Sequence, residues 1–288
     1  MAIRTRSYAD VNWEAHAKAI GKHRLRRAHI VKLAHDLLPT NKIRHRDDPT
    51  IAAECPQCRE AVEDRDHILR CPHEWRARWR ETFLSGLDEQ CKKLETAPSL
   101  EESLVRGIAR WFEGAEWTPE ELVEATDVEK AQCALGWRQI FNGRMSKAWA
   151  AEQDRFYKAG GRWGTSRNGR VWTTSILTHI WTEWFDLWDH RNGLVHGHDA
   201  ATRAQARRAE IERKIRDLYQ KRGELVPSDR DLLYDSVQEH LDNATTAQLV
   251  NWYNTHWPVF RASFVESKRR AINGVAAIST YFQRVSRR

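Results

Sequence analysis

Methionine is almost missing from this chain, with two residues in 288, and cysteine is sparse at five. So few cysteines over such a length do not make a disulfide scaffold; they fit a reducing compartment. No stretch approaches the ~18–20 consecutive apolar residues of a membrane span. The opening residues, Met1-Ala-Ile-Arg-Thr-Arg, lack the apolar h-region of a secretory signal. They are basic enough to resemble a transit peptide, but Asp10 and Glu14 arrive too early for one. The expected setting is intracellular, nuclear or cytoplasmic, with no membrane partner.

What the chain has instead is tryptophan and charge. Fourteen tryptophans are expected to supply much of the core, and 30% charged residues a well-solvated surface. The length allows one large or two modest domains. A net charge of +7 and a pI near 9.3 point to a polyanionic partner, RNA or DNA.

The periodicity is helical nearly throughout, so the expected fold is mostly α: a multi-helix, Trp-rich bundle. Residues 1–48 form a basic helical segment, with Gly21 a candidate break in a helix over 10–38. A small cysteine-containing segment occupies 49–76. In the helical region 77–158, Trp75, Trp79, Phe83 and Leu87 recur at i+4 and mark one core face. Ser99 and Glu102 are spaced as a capping box for a helix over 100–112, and Thr118-Pro119-Glu120-Glu121 is a helix start. Helices are expected at about 128–142 and 145–158. Residues 159–170, with Gly160, Gly161, Gly164 and Gly169 among arginines, read as a mobile basic linker; no Gly-Lys-Ser/Thr follows, so this is not a P-loop. In the Trp-rich region 171–288, a strongly apolar helix over 171–189 ends with Gly193 as candidate C-cap. A basic helix over 201–222 and shorter helices at 231–240 and 245–256 follow. A last helix starts at Val259 and carries Lys268-Arg269-Arg270.

The most specific chemical signal lies near the N-terminus. Cys55, Cys58, His67 and Cys71 read Cys-x2-Cys-x8-His-x3-Cys. Two thiolates on a tight turn and a His/Cys pair one helical turn apart converge on one tetrahedral ion, a single structural Zn2+. Pro56 suits the turn, and His73 is a possible substitute ligand. The intervening residues are mostly charged and build no core of their own, so a metal would hold the segment together. Arg24, Arg26, Arg27, Lys32, Lys42, Arg44 and Arg46 precede this knuckle. With Arg162, Arg167 and Arg170 they are the candidate phosphate-contacting residues.

The basic helix, Leu38-Pro39-Thr40, the Cys55/Cys58/His67/Cys71 pattern with Glu63-Asp64 before the histidine, and Cys71-Pro72 together resemble the C-terminal tail of non-LTR retrotransposon reverse transcriptases. Trp188-Asp-His-Arg191-Asn192-Gly-Leu-Val-His196 is similar to a Trp-x-x-Arg-Asn-x-x-x-His element in reading frames of retroelement origin. The resemblance implies binding of RNA or DNA by the knuckle and its basic flank. It carries no catalysis here, because neither a Tyr-x-Asp-Asp polymerase motif nor an endonuclease pattern is present. The expected function is non-catalytic, zinc-dependent nucleic-acid binding. One alternative is enzymatic: Arg191, Asn192 and His196 also resemble the Arg-Asn-x3-His signature of metal-independent HEPN ribonucleases. There the arginine would stabilise phosphorane charge and the histidine act as general acid or base. A third possibility is a structural or decayed retroelement product with no affinity for nucleic acid.

Overall fold

The computed structural model describes the backbone of residues 7–233 and 236–285. Among these residues there are helices, turns and two isolated β-bridges, Val11 with Ser146 and Glu54 with Val62. The mostly α expectation holds. No helix of the described residues is long and apolar enough to cross a membrane. The chain divides into two compact units, residues 1–194 and 195–288.

The first unit begins with α1 (Trp13–Lys22), a 3-10 turn (Arg24–Arg26) and α2 (Arg27–Ala34). The expected break near Gly21 falls at His23. After α3 (Asn41–Asp47) comes the cysteine segment with α4 (Arg65–Arg70), then the long α5 (Glu74–Lys93) and α6 (Pro98–Glu113). Three short helices follow: α7 (Pro119–Glu124), α8 (Asp127–Leu135) and α9 (Arg138–Phe141). α10 (Lys147–Ala159) and α11 (Gly169–His196) complete the order. Tryptophan forms the centre. Trp149, Trp172, Trp181, Trp184 and Trp188 are all at most 2% exposed and belong to one cluster with Phe83, Phe141 and Ile176. Buried indoles need a partner for their N–H. Trp149 donates to Gln132 Oε1 (3.2 Å), Trp172 to Thr96 Oγ1 (2.7 Å) and Trp181 to the Phe141 carbonyl (3.0 Å), whereas Trp184 Nε1 makes no hydrogen bond to the described residues.

Several helix boundaries differ from the sequence expectation. Ser99 and Glu102 make no capping box: Pro98 already sits in the first helical position and Ala97 is the N-cap. The Ala97 N–H is instead satisfied by Gln153 Oε1 from α10 (3.0 Å). The expected box at Thr118 and Glu121 is present, and a second one forms at Thr126 and Glu129. Gly193 does not end α11. It is buried inside the helix, which runs on to His196; the glycine with left-handed backbone is Gly197 (φ +92°).

The Gly/Arg stretch 159–170 is tied down rather than loose. Gly164 and Arg167 exchange backbone hydrogen bonds (2.8 and 3.2 Å), and Trp163 Nε1 donates to Asp154 (2.7 Å). The Gly169 N–H donates to the same carboxylate (2.8 Å). Gly169 also starts α11 against α10, where an added Cβ would lie 1.8 Å from the Ala150 carbonyl oxygen. That oxygen is main chain and cannot step aside. Gly169→Ala is therefore expected to cost about 3 kcal/mol, the upper end of overpacking penalties, read as a lower midpoint in urea unfolding. Glycine here serves close helix approach, not mobility.

The second unit is built from α12 (Ala200–Gln220), α13 (Val237–Asp242) and α14 (Thr246–Val285). Ile211, Ile215, Leu241 and Leu249 form one small core, and Leu218, Leu225, Leu233 and Phe260 another. The expected pair of helices at 245–256 and from Val259 is in fact one helix, with Pro258 inside it. Proline removes one helical N–H and ordinarily breaks or kinks a helix. Here Leu249 before it and Phe260 after it are both fully buried, so packing on each side keeps the two halves in line.

Candidate metal centre

The cysteine segment folds as a short antiparallel turn followed by one helical turn. Cys55 N–H donates to the Ala61 carbonyl (2.8 Å) and Glu63 N–H to the Ala53 carbonyl (2.8 Å), pairing the two sides of the turn. Inside it, Arg59 N–H reaches the Cys55 carbonyl (2.9 Å), and Gln57 N–H points at Cys55 Sγ (3.4 Å). Arg59 takes the left-handed conformation (φ +61°) that closes such a turn, a position where glycine would be unstrained. Asp64 then caps α4, its carboxylate accepting from His67 N–H (2.9 Å). Burial works to raise the Asp64 pKa, but that N–H and the Lys42 ammonium prevail and hold it below the ordinary value. The cap fixes the start of the helix, and so places His67 and Cys71 on one face.

The four side chains meet. One donor atom from each of Cys55, Cys58, His67 and Cys71 lies within 4.8 Å of all the others, and among the described residues this is the metal-ligating group found. Cys55 and Cys71 Sγ are 4.0 Å apart, and Cys58 Sγ is 3.4 Å from His67 Nε2. A tetrahedron with sulfur at ~2.3 Å and nitrogen at ~2.0 Å has edges of about 3.8 Å (S–S) and 3.5 Å (S–N). These two separations match such edges, and the four side chains together could supply all four positions around one ion. Burial pushes the Cys71 thiol up to about 12; the His73 backbone N–H opposes this, and the neighbouring Cys55 and Cys58 sulfurs add to it. His73, the possible substitute, is occupied elsewhere: its Nδ1 accepts from Trp75 N–H (3.2 Å) as N-cap of α5.

Behind the cluster are charges that sequence reasoning did not assign. Arg76 is fully buried, and its Nε and Nη2 make no hydrogen bond to the described residues. Burial lowers its pKa, while Cys55, Cys71 and then Glu63 act to keep it charged. Three thiolates and a neutral imidazole around a divalent ion would carry one net negative charge, which this guanidinium would offset. Arg80 Nη1 donates to the Cys71 carbonyl (2.8 Å) and fixes the last ligand's backbone. On the other side, buried Arg65 donates to the Leu33 carbonyl (3.1 Å) and Asn142 Oδ1, and pairs with Asp36 and Asp66 (3.1 Å each). Ile68 and Leu69 of α4 enter the tryptophan core. The knuckle is part of the first unit, not an appendage.

The Arg191–Asn192 element also reaches this segment. Arg191 and Glu63 form an ion pair in which both side chains are 0% exposed. Arg191 Nε donates to Glu63 Oε1 (2.9 Å), and Nη2 to Glu63 Oε2 and to Asn41 Oδ1 (3.0 Å). Glu63 Oε2 accepts in turn from the Asn41 N–H (2.7 Å), capping α3, and Asn41 Nδ2 donates to the Glu54 carbonyl (2.7 Å). Asn192 Oδ1 takes only a long contact from Arg191 Nη1 (3.3 Å). His196 is exposed at the end of α11. A guanidinium consumed this way has no face to offer a phosphorane. Arg191 is a structural residue, and the geometry gives the nuclease alternative no support.

The candidate phosphate-binding residues separate into two groups. Arg26 is bidentate to Asp189 (2.9 and 2.7 Å), Lys42 meets Asp64 (3.3 Å) and Arg46 meets Asp47 (3.0 Å). Arg162 and Arg167 both reach Glu95 (2.5 and 3.0 Å), and Arg170 pairs with Glu14. Arg44 is half-buried on α3. Arg24, Arg27 and Lys32 are exposed on the 3-10 turn and α2, with no ion pair to the described residues. The charge density expected of the 162–170 stretch is thus largely neutralised by the protein's own carboxylates.

No family model matches this chain, and neither a curated protein nor a solved structure was found similar to it.

Proposed function

We propose that this protein is a non-catalytic nucleic-acid-binding protein whose Cys55/Cys58/His67/Cys71 centre takes up one structural zinc ion. The observation that carries it is the gathered donor set: three sulfurs and one imidazole nitrogen within 4.8 Å of one another, enough protein ligands to leave no position for water or substrate. Such a site stabilises a fold and does not activate a nucleophile. Three thiolates favour zinc over the oxygen-seeking cations. The ion would clamp the 49–76 segment and so present the flanking α2–α3 surface, where Arg24, Arg27 and Lys32 stand exposed. The net charge of +7 favours a polyanion for that surface. The likeness of the knuckle to retrotransposon reverse transcriptase tails supports the same reading and an origin in such an element.

Binding is expected to be salt-dependent, because neutralised phosphates release counterions. The test is fluorescence anisotropy of the zinc-loaded full chain with a labelled single-stranded RNA and a DNA duplex between 50 and 300 mM salt, on the order of the range where such dependence is steep. Replacing Arg24, Arg27 and Lys32 by glutamate should weaken binding. It should also flatten the log K against log salt slope by about 2–3, roughly 0.7–0.9 for each lost phosphate contact. No measurable affinity for either nucleic acid at the lowest salt would overturn the proposal.

A further inference from the structure

The second unit holds a cavity of about 660 Å³ between α13 and the first turns of α14, lined by Asn243, Gln248, Asn251, Trp252, Thr255 and His256 among others. Its chemistry is narrow. No lysine or arginine lines it, which disfavours a phosphate or carboxylate as the bound group, and no three metal-ligating side chains converge there. It is not a greasy slot either, since amides, a hydroxyl, imidazoles and the Glu239 carboxylate share the wall with one indole. What fits is a neutral, planar group with donors and acceptors along its edge.

The polar atoms are placed for such a group. The side-chain amides of Asn243 and Asn251 and the Thr255 hydroxyl are exposed and make no hydrogen bond to the described residues. Gln248 Oε1 is taken by the Thr245 N–H and O–H (2.8 Å each), which leaves its NH2 as a donor. His256 Nδ1 lies 2.8 Å from the Trp252 carbonyl, so Nδ1 carries the proton and Nε2 is left as an acceptor. Trp252 is braced by His240 edge-on (4.4 Å) and by the tilted ring of His256 (5.0 Å). Arg208 is consumed locally: it pairs with Glu212 and donates to the carbonyls of Leu241 (2.5 Å) and Ala244 (2.6 Å). Arg216 is exposed on α12 and donates to Gln238 Oε1 (3.3 Å), with no ion pair to the described residues. Residues 195–288 carry sixteen lysines and arginines against eleven acidic residues, so most of the protein's excess positive charge lies in this unit.

We propose that this cavity is a subsite for one unstacked nucleobase of a single-stranded nucleic acid. The base edge is read by Asn243, Gln248, Asn251 and Thr255 beside Trp252, and the flanking phosphates meet the unit's exposed cations, Arg216 on α12 among them. Amides present paired donors and acceptors that match base edges, and an indole beside them offers a stacking surface. The proposal rests on the nucleic-acid reading above, and it adds recognition of bases to a reading built on charge.

The experiment separates the two. The zinc-loaded full chain is titrated with a fluorescein-labelled 12-nucleotide RNA and with a strand of equal length and charge whose bases are replaced by abasic residues, about a dozen phosphates being enough to span one such site. The base-bearing strand should bind at least about tenfold tighter, in line with one or more stacked bases. Asn251→Ala with Thr255→Ala, both solvent-exposed and so tolerated by the fold, should narrow that difference severalfold while leaving the abasic strand unchanged; circular dichroism verifies folding. Equal binding of the two strands by the wild type overturns the base subsite and leaves charge-driven binding standing. A base preference that the double substitution leaves undiminished places recognition elsewhere and also overturns it. Failure of both strands to bind overturns this inference and the proposed function together.

Discussion

Stripping the metal from the Cys55–Cys71 centre is expected to lower the melting temperature by about 8–16 °C. A ligand held at 1,000 times its dissociation constant contributes about 4 kcal/mol to the folded state, and a unit of this size shifts by roughly 2–4 °C per kcal/mol. The loss should start locally. Without an ion, the thiol of Cys71 is buried against two other sulfurs, and the 49–76 turn has few apolar side chains to hold it. Limited proteolysis after chelation should therefore cut between Pro49 and Glu60 before any site in α5 or α11. Elemental analysis should return one zinc per chain for the wild type and none for Cys58→Ser, whose half-buried sulfur is replaced with little change in volume. Cys91→Ser is the control. Cys91 is buried beside Thr96, burial pushing its thiol up to about 12, but it lies outside the cluster and should keep the metal. Thermal scans with and without chelator check the claim, and identical curves would sink the clamp.

How much of this was legible in advance divides along one physical line. The convergence of the four side chains was readable because it is encoded in local spacing: a two-residue turn and one helical turn suffice to bring Cys55, Cys58, His67 and Cys71 together. Helix content was readable for the same reason, since the i+4 steps of Trp79, Phe83 and Leu87 depend only on the helix that carries them. What failed depended on partners far along the chain. Gly193 looks like a helix end until the buried faces around it continue through α11. Pro258 looks like a breaker until Leu249 and Phe260 are both anchored. Arg162, Arg167 and Arg170 look like free cations until Glu95 arrives from the α5–α6 turn and Glu14 from α1. Arg191 looked catalytic because a short motif states residue types and says nothing of burial. Its partner Glu63 stands 128 residues away in sequence. The one usable hint was that Glu63-Asp64 precedes His67, and only Asp64 had a local role to predict.

Arg191→Met is expected to destabilise the first unit by about 3–5 kcal/mol, because it strands the Glu63 carboxylate in a fully buried position. In a unit of this size that is on the order of 10 °C in melting temperature. The loss is not simply the worth of the ion pair, and a double variant shows why. In Glu63→Leu with Arg191→Met both charges are gone, and no uncompensated ion remains. What persists is the unmet Asn41 N–H, together with the Asn41 Oδ1 that Arg191 held, a cost of about 1–3 kcal/mol. The double variant should therefore be more stable than Arg191→Met alone, the opposite of two independent losses added together. Metal affinity should separate the variants further. Glu63 follows the Glu54–Val62 bridge and directly precedes the Asp64 cap of α4, so freeing it loosens the frame that aims His67 and Cys71. Zinc competition against a chromophoric chelator should show weaker binding in Arg191→Met than in the wild type. A guanidinium serving only catalysis would predict the reverse pattern: unchanged melting temperature, unchanged zinc affinity and loss of RNA cleavage. The two-helix tie between α3 and α11 through Glu63 predicts losses in the first two measurements, and it makes the Arg191–Asn192 element a strut of the metal centre.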